Sequence, residues 1–270
     1  MTLSIVTVTR NNLEGLKKTY DSIANQTTQA FEWVVIDGDS TDGTPEFVRS
    51  VSRQPDIYIH EKDSGIYNAM NKGIKIARGD YLLFMNAGDI FASNNTLQET
   101  QFHTFNADVV YGDAWFDFPT RSLAKQYTDE VTLGSLYEKS FCHQSTFIRR
   151  DLLAEDGYDE AYRVLADWKS YVVWFLAGKS FQHLPLFVCR FDVTGASTNH
   201  KLCDAEHDKI FAELLPSYVL DILRDWYSYQ NKPCILTRNY CAKNRIYRRI
   251  IRSTLHLLTW IDKLTHRWSQ

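Results

Sequence analysis

The chain has 270 residues, 44% of them hydrophobic, which is enough to bury a substantial core in one large domain. Its net charge of −3 is unevenly spread: residues 232–270 carry nine Lys or Arg and one Asp, whereas the remainder carries 21 basic and 32 acidic residues. The acidic body argues against nucleic-acid binding, and the five cysteines lack the spacing of a zinc site or a disulfide framework. No apolar run approaches the ~20 residues that a membrane span needs. A strand predicted from Leu3 also argues against a signal peptide.

Four short apolar segments in the first hundred residues predict β-strands that alternate with amphipathic helices. The predicted strands are Leu3–Val8, Phe31–Ile36, Ile57–Ile59 and Tyr81–Met85. This alternation predicts an α/β fold with a mostly parallel central sheet flanked by helices. Each strand ends in hydroxyl, amide or acidic residues, and such sheets bind ligands at the carboxyl ends of their strands. Turns between strands and helices are also rich in these residues without any ligand, so one turn alone decides nothing.

Polar residues predict where the first three helices begin. Asn11 or Asn12 is expected to cap the first helix, and Thr44 to cap the second. Asp63 or Ser64 is expected to cap the third helix in the same way. The apolar face of that third helix is predicted to consist of Ile66, Ala69, Met70, Gly73, Ile74 and Ala77.

The second half of the sequence is less regular than the first. It contains predicted strands and helices without a steady alternation. The predicted elements are strands at 108–113, 114–118, 141–149 and 187–191, a helix at 168–176, and a helical region at 204–230 that Pro216 splits.

The first strand–helix turn, residues 9–12, carries no glycine-rich phosphate-binding motif. This absence argues against a dinucleotide-binding fold and against a nucleotidyltransferase with a basic phosphate loop. A nucleotide would therefore have to be held by side chains and a cation. Asp37, just past the second strand, can accept the imino N–H of a base. Asp89, past the fourth, can hold a divalent metal that bridges a diphosphate, since hard cations prefer oxygen ligands.

Several segments together resemble family 2 glycosyltransferases with the GT-A fold. The resemblance is greatest to bacterial transferases that assemble exopolysaccharide, colanic-acid-type capsules or O-antigen. It extends to about Ser197, and its central, most specific block is DSGIYNAMNKGIKIARGDYLLFMNAGD. The other segments that carry it are SIVTVTRNN, EWVVIDGDSTDGT, CHQSTFIRR and LADWKSYVVWFLAGK.

The resemblance implies a role for individual residues. Asp167 matches the general base, although an acid at the start of a predicted helix can also act as a cap. Asp89 matches the last acid of a DxD-type motif that binds Mn²⁺ or Mg²⁺, while Ala87 and Gly88 stand where an earlier acid is often found. The implied nucleotide contacts are Thr7, Thr9, Asn11, Asp37, Gly38, Ser40, Asp63 and Gly65. The implied sugar and acceptor contacts are Tyr67, Asn71, Asn86, His143, Gln144 and Trp168.

The function implied is an inverting, metal-dependent transfer of a sugar from a nucleotide-sugar, expected to be a UDP-sugar. The acceptor would be a glycan or a lipid-linked glycan of a bacterial surface polysaccharide. The missing acid beside Asp89 motivates an alternative, a catalytically inactive nucleotide-sugar-binding or scaffolding subunit of a polysaccharide assembly complex.

Two domains are expected, a GT-A catalytic domain at 1–203 and a helical basic region at 204–270. Within the first, residues 1–100 form the nucleotide-binding half and 101–203 the acceptor-binding half. Basic and apolar residues interleave at 240–268, which suits a helix lying on an anionic membrane surface, or one packed on its own domain or on a dimer partner. We expect a cytoplasmic protein at the inner face of the membrane, and the sequence leaves homo-oligomer formation open.

Overall fold

The structure is a computed structural model that describes residues 2–101, 103–193 and 199–230. A first compact unit comprises residues 1–215, and a second begins at Pro216. The strands are β1 Leu3–Thr9, β2 Glu32–Asp37, β3 Ile57–His60, β4 Tyr81–Phe84, β5 Ile90–Phe91, β6 Val109–Phe118, β7 Arg121–Lys125, β8 Thr146–Arg149 and β9 Phe181–Asp192. The helices are α1 Leu13–Ala24, α2 Thr44–Ser50, α3 Ile66–Ile76, α4 Thr96–Thr100, α5 Leu133–Glu138, α6 Arg150–Asp156, α7 Ala166–Leu176, α8 His200–Leu214 and α9 Ser217–Gln230, with a 3₁₀ turn at His143–Ser145.

The strands form one mixed sheet in the order β3-β2-β1-β4-β8-β6-β9-β5, and β7 pairs with β6 outside this path. β3, β2, β1 and β4 are mutually parallel, so their carboxyl ends share one edge of the sheet. β8 then runs antiparallel to both β4 and β6. The predicted α/β fold is therefore confirmed. Its sheet is parallel across β3, β2, β1 and β4, and every antiparallel pair includes at least one strand from the second half of the chain.

β1 is apolar at most positions because both faces of the sheet are covered. Ile5 lies in the core cluster with Trp33 on one face. On the other face α3 approaches β1 closely, and a Cβ added to Gly73 would come within 2.5 Å of Val6 Cγ1. The glycine in the apolar stripe of α3 thus permits the close approach of this helix to the sheet.

The starts of α2 and α3 differ from the predicted caps. Gly43 stands at the N-cap of α2, so Thr44 is its first helical residue. Gly65 stands at the N-cap of α3 without any side-chain cap. Asp63 does not cap the helix, and its carboxylate lies 3.6 Å from the Arg10 guanidinium. The Asn12 cap of α1 is confirmed, since its Oδ1 accepts the Gly15 N–H at 3.1 Å.

The apolar face predicted for α3 is correct except at its first position. Ile66 is 37% exposed, and the next residue, Tyr67, is buried in its place. Ala77 is buried as expected but follows the last residue of the helix.

Two strand predictions for the second half need correction. Residues 108–118 do not form a strand pair, because β6 runs unbroken through Val109–Phe118 and pairs with β7 instead. The segment 141–149 is a 3₁₀ turn followed by β8. The first compact unit extends to Leu215 and includes α8, which buries Ile210 and Phe211, and the predicted division into domains at 203/204 stays a prediction.

The region 240–268, predicted to be a basic amphipathic helix, lies outside the described residues. Among the helices that the structure does describe, none combines the length and the apolar composition that crossing a bilayer requires.

Candidate active site

The carboxyl ends of β2 and β3 are joined through Asp37, which is fully buried. Its Oδ1 accepts the Ser40 N–H at 3.0 Å, and its Oδ2 lies 2.9 Å from both Tyr58 Oη and His60 Nδ1. Burial and the Asp37 charge raise the pKa of Tyr58, so the phenol stays protonated and donates. Through these bonds the Asp37 carboxylate fixes the loop that follows β2.

The loops after β1 and β2 are tied together by Asn11. Its N–H donates to Ser40 Oγ at 2.8 Å, and its Oδ1 accepts the Thr41 N–H at 2.9 Å. Thr9 is buried, and its hydroxyl has no hydrogen-bond partner in the described chain. A buried hydroxyl of this kind is one that a ligand can satisfy.

Thr7 is also buried, two residues earlier in β1 than Thr9. Its hydroxyl accepts the Trp33 indole N–H at 3.0 Å. Thr7 therefore supports the sheet from within the core, and its predicted role in lining a nucleotide pocket stays a prediction.

Gly38 and Asp63 meet where the loops after β2 and β3 converge. A Cβ added to Gly38 would overlap the Asp63 carboxylate, so only glycine allows this approach. Asp63 in turn lies beside Arg10, and Gly65 follows at the start of α3. These predicted nucleotide contacts therefore form one group at the sheet edge.

The turn between β4 and β5 presents Asp89. The Asp89 N–H donates to the Asn86 carbonyl at 2.9 Å, which closes the turn. The Thr19 hydroxyl accepts the Gly88 N–H at 2.9 Å and lies 2.8 and 3.0 Å from the Asp89 and Asn86 carbonyl oxygens. Sequence reasoning missed Thr19, whose only signal is a hydroxyl on the buried face of α1.

The Asp89 side chain is 6% exposed, and its Oδ2 accepts the Gln144 amide at 2.9 Å. Asn86 Oδ1, in the same turn, is buried without a hydrogen-bond partner in the described chain. The described residues contain no group of three His, Cys, Asp or Glu that could hold a metal. A carboxylate and a free amide oxygen are nevertheless hard donors that fit part of a Mn²⁺ or Mg²⁺ shell, with diphosphate oxygens completing it.

Asp167 occupies the first turn of α7, one position after Ala166. Its Oδ1 accepts the Tyr67 hydroxyl at 2.7 Å. Tyr67 is buried, and burial together with the Asp167 charge raises its pKa, so the phenol remains a donor. The N-cap residue is Leu165, so Asp167 is not the cap of this helix, and its side chain is directed to Tyr67.

The 3₁₀ turn His143–Ser145 links the two acids. His143 is buried, its Nε2 lies 2.8 Å from Tyr158 Oη, and its ring stacks on Phe84. Burial lowers the pKa of His143, and the negative charge of Asp167 opposes that shift only in part. The next residue, Gln144, bonds to Asp89. Consecutive residues of one turn therefore interact with the two acids, Gln144 by its hydrogen bond to Asp89 and His143 through the electrostatic effect of Asp167.

The lowered pKa of His143 predicts a specific loss of stability in acid. Below the ordinary histidine pKa near 6.5, the unfolded chain binds a proton that the folded chain does not. The free energy of unfolding therefore falls as the pH falls. The contribution reaches at most about 1.4 kcal/mol per pH unit until the folded-state pKa is passed. Urea unfolding at pH 7.0 and 5.5 should show a smaller pH effect in His143→Asn than in the wild type. His103→Asn, at an exposed site, should keep the wild-type effect, and equal effects in all three proteins would contradict the prediction.

Two predicted sugar contacts are engaged within the protein. Asn71 exchanges hydrogen bonds with the Tyr158 backbone, at 2.9 Å to its carbonyl and 2.7 Å from its N–H, and also donates to Glu160 at 3.0 Å. The Trp168 indole donates to the Leu136 carbonyl at 2.6 Å. Both side chains hold the elements around Asp167 together.

The fold and this edge of the sheet define a GT-A fold, which solved structures share. TarS of S. aureus, determined in complex with UDP-GlcNAc, superposes with a TM-score of 0.62 and 18% identity, covering 92% of this chain and 78% of that one. The mannosyltransferase PcManGT of Pyrobaculum calidifontis, determined with GDP-Man and Mn²⁺, gives a TM-score of 0.56 and 16% identity, covering 95% and 84%. At these identities the likeness concerns the fold alone.

Sequence comparison identifies the family. A PGL/p-HBAD biosynthesis glycosyltransferase of Mycobacterium bovis is 37% identical over 175 residues, which is 61% of this chain and 66% of that relative, just under two thirds. The family model described as Glycosyl transferase family 2 matches residues 4–157. The chain belongs to glycosyltransferase family 2, as its sequence motifs predict.

Proposed function

We propose that this protein is an inverting, metal-dependent glycosyltransferase that uses a nucleotide-sugar, with UDP as its expected nucleotide. The observation that carries the proposal is the arrangement of two acids in a chain of this family. Tyr67 holds Asp167 and packs against Tyr158, the hydrogen-bond partner of His143, while the next residue of the same 3₁₀ turn, Gln144, holds Asp89. The acceptor is a glycan or a lipid-linked glycan of a bacterial surface polysaccharide.

Asp167 is the proposed general base. It accepts the proton of the acceptor hydroxyl as the hydroxyl oxygen attacks the anomeric carbon. The departing group leaves from the opposite face, so one displacement inverts the configuration. Tyr67 orients Asp167 by its hydrogen bond. Because burial keeps His143 neutral, this histidine adds no positive charge that would reduce the basicity of the carboxylate.

The donor binds along the carboxyl edge of β1, β2 and β4. Residues around Asp37, including Asn11, Gly38 and Asp63, shape the nucleotide end, and the free Thr9 hydroxyl supplies a hydrogen bond. Asp89 and the Asn86 amide oxygen would hold Mn²⁺ or Mg²⁺. When bound, this cation neutralises charge on the departing diphosphate. Gln144 orients Asp89 through its amide hydrogen bond.

The contact between Tyr67 and Asp167 makes its own prediction. Tyr67→Phe should lower turnover about 10-fold, because a hydrogen bond to a charged group is worth about 1.5–3 kcal/mol. Tyr81→Phe is a matched control, as this buried tyrosine donates to the Ala107 carbonyl. Wild-type turnover in Tyr67→Phe would contradict the proposed contact.

The function is tested with a panel of nucleotide-sugars and Mn²⁺. Thermal shift reports binding, because a ligand that prefers the folded state raises stability. Release of nucleoside diphosphate reports turnover. Metal-dependent release from a UDP-sugar supports the proposal, whereas a shift with GDP compounds alone would refute the assignment of UDP. Binding without release would favour the alternative of a non-catalytic nucleotide-sugar-binding subunit. The observation behind that alternative is the absence of a second acid beside Asp89.

A further inference from the structure

Glu206 of α8 bonds to three consecutive backbone N–H groups. Its Oε1 accepts from Arg163 at 2.7 Å, and its Oε2 accepts from Val164 at 3.1 Å and from Leu165 at 2.9 Å. The residue is 7% exposed. A buried carboxylate is costly unless donors satisfy it, and three backbone donors provide that here.

The residues that carry these three N–H groups directly precede α7. Leu165 is its N-cap residue, and an apolar side chain cannot accept a bond from the first turn. The Glu206 carboxylate supplies negative charge at this helix start, where the helix dipole favours it. Asp167 follows Leu165 by two residues. Glu206 therefore fixes the point from which α7, and Asp167 with it, begins.

Other ties to the segment 157–165 lie farther from Asp167 or nearer to solvent. Asn71 holds its beginning at Tyr158. The Tyr162 hydroxyl donates to Glu213 Oε2 at 2.7 Å, but Glu213 is 42% exposed. Glu206 is the buried tie that bonds to the residues immediately before α7.

We propose that Glu206 is a positioning residue for the transfer reaction: it acts through Asp167 by holding the backbone from which that carboxylate projects. This inference rests on the proposed role of Asp167 as the base. Glu206 lies outside the part of the chain that the family model matches, which ends at residue 157.

The test is Glu206→Gln, whose amide nitrogen opposes one or more of the three N–H groups. The kcat for release of nucleoside diphosphate, measured with the nucleotide-sugar that is active in the panel above, should fall about 10²-fold. That is the scale of loss when a catalytic group is misplaced. KM for the donor and the nucleotide-induced thermal shift should stay within twofold. Hydrogen exchange of the amides at 163–165 should accelerate. Glu206→Asp, which withdraws the carboxylate by one methylene, should give a milder form of the same pattern if the glutamine variant is unstable.

Glu32→Gln is the matched control for a purely structural role. Glu32 also accepts a backbone N–H, from Arg78 at 2.8 Å, but it lies at the amino end of β2. This variant should keep kcat within twofold and should leave exchange at 163–165 unchanged. An equal loss of kcat in Glu32→Gln and Glu206→Gln would overturn the inference.

Combination with Asp167→Asn separates the inference from the function on which it rests. If Glu206 acts through Asp167, adding Glu206→Gln to Asp167→Asn should lower the remaining rate by less than threefold. A full 10²-fold further loss would mean an independent effect and would overturn the inference. An inactive Asp167→Asn beside a fully active Glu206→Gln refutes the inference alone. Wild-type turnover in Asp167→Asn refutes the base role, and the inference with it.

Discussion

Asp167→Asn is expected to lower the turnover of nucleotide-sugar by about 10³-fold, because general-base catalysis contributes roughly 10²–10⁴-fold. The asparagine keeps the size of the side chain and can still accept the Tyr67 hydroxyl, so the surrounding packing is preserved. Donor KM and nucleotide binding should change little, since Asp167 lies at the proposed acceptor side. Steady-state kinetics of nucleoside diphosphate release, together with thermal shift by the nucleotide, measure both quantities.

Asp151→Asn is the matched control for that variant. Asp151 is also an acid in the first turn of a helix, α6, but its side chain is 82% exposed. If both acids acted only through the helix dipole, each substitution would lower the free energy of unfolding by a few tenths of a kcal/mol and leave catalysis intact. Full activity in a folded Asp167→Asn protein would rule out the proposed base.

Asp89→Asn is expected to remove the response to Mn²⁺ and to lower turnover by about 10²–10³-fold, on the scale of losing one electrostatic contact to the departing group. The neutral amide is a poorer ligand for a hard cation, and it no longer attracts the Gln144 amide as the carboxylate does. Titration of Mn²⁺ in the presence of the nucleotide, followed by thermal shift, should give a weaker apparent affinity even where activity is too low to measure.

The control for Asp89→Asn lies at the other end of the same strand. Asp80 precedes β4 and accepts the Thr2 N–H at 2.7 Å, at the amino edge of the sheet. Asp80→Asn should retain the wild-type metal dependence. If Asp89→Asn keeps a normal Mn²⁺ response while Asp80→Asn does too, the metal is held elsewhere and the assignment of Asp89 fails.

The first half of the fold could be predicted from the sequence because local signals there agree with tertiary burial. A strand such as β4, apolar at every position, has few alternatives to a place inside a covered sheet. The length of β6 could not be predicted in this way. Residues 113 and 114 look like a strand boundary, but the pairing of β6 with β9 continues across a register shift at that point. The length of β6 depends on its pairing with a distant segment of the chain, and no local sequence pattern predicts that pairing.

The candidate site was predictable in its residue types but not in their partners. The acids at 89 and 167 stand out by position and motif. The residues that support them do not, because Thr19, Gln144 and Glu206 act through hydrogen bonds to groups at least 41 residues away in the sequence. Asp37 illustrates the reverse case, since its place after β2 suggests an open ligand while its carboxylate is buried among protein donors.

The extent of the first compact unit has a practical consequence for the design of truncated proteins. A fragment that stops at residue 203 would cut α8 after its first turn and discard Ile210, Phe211 and the carboxylate of Glu206. Such a fragment would expose apolar surface beneath α8 and would leave the start of α7 without its acceptor. A fragment used for screening or crystallisation should therefore extend at least to Leu215, the last residue of that unit.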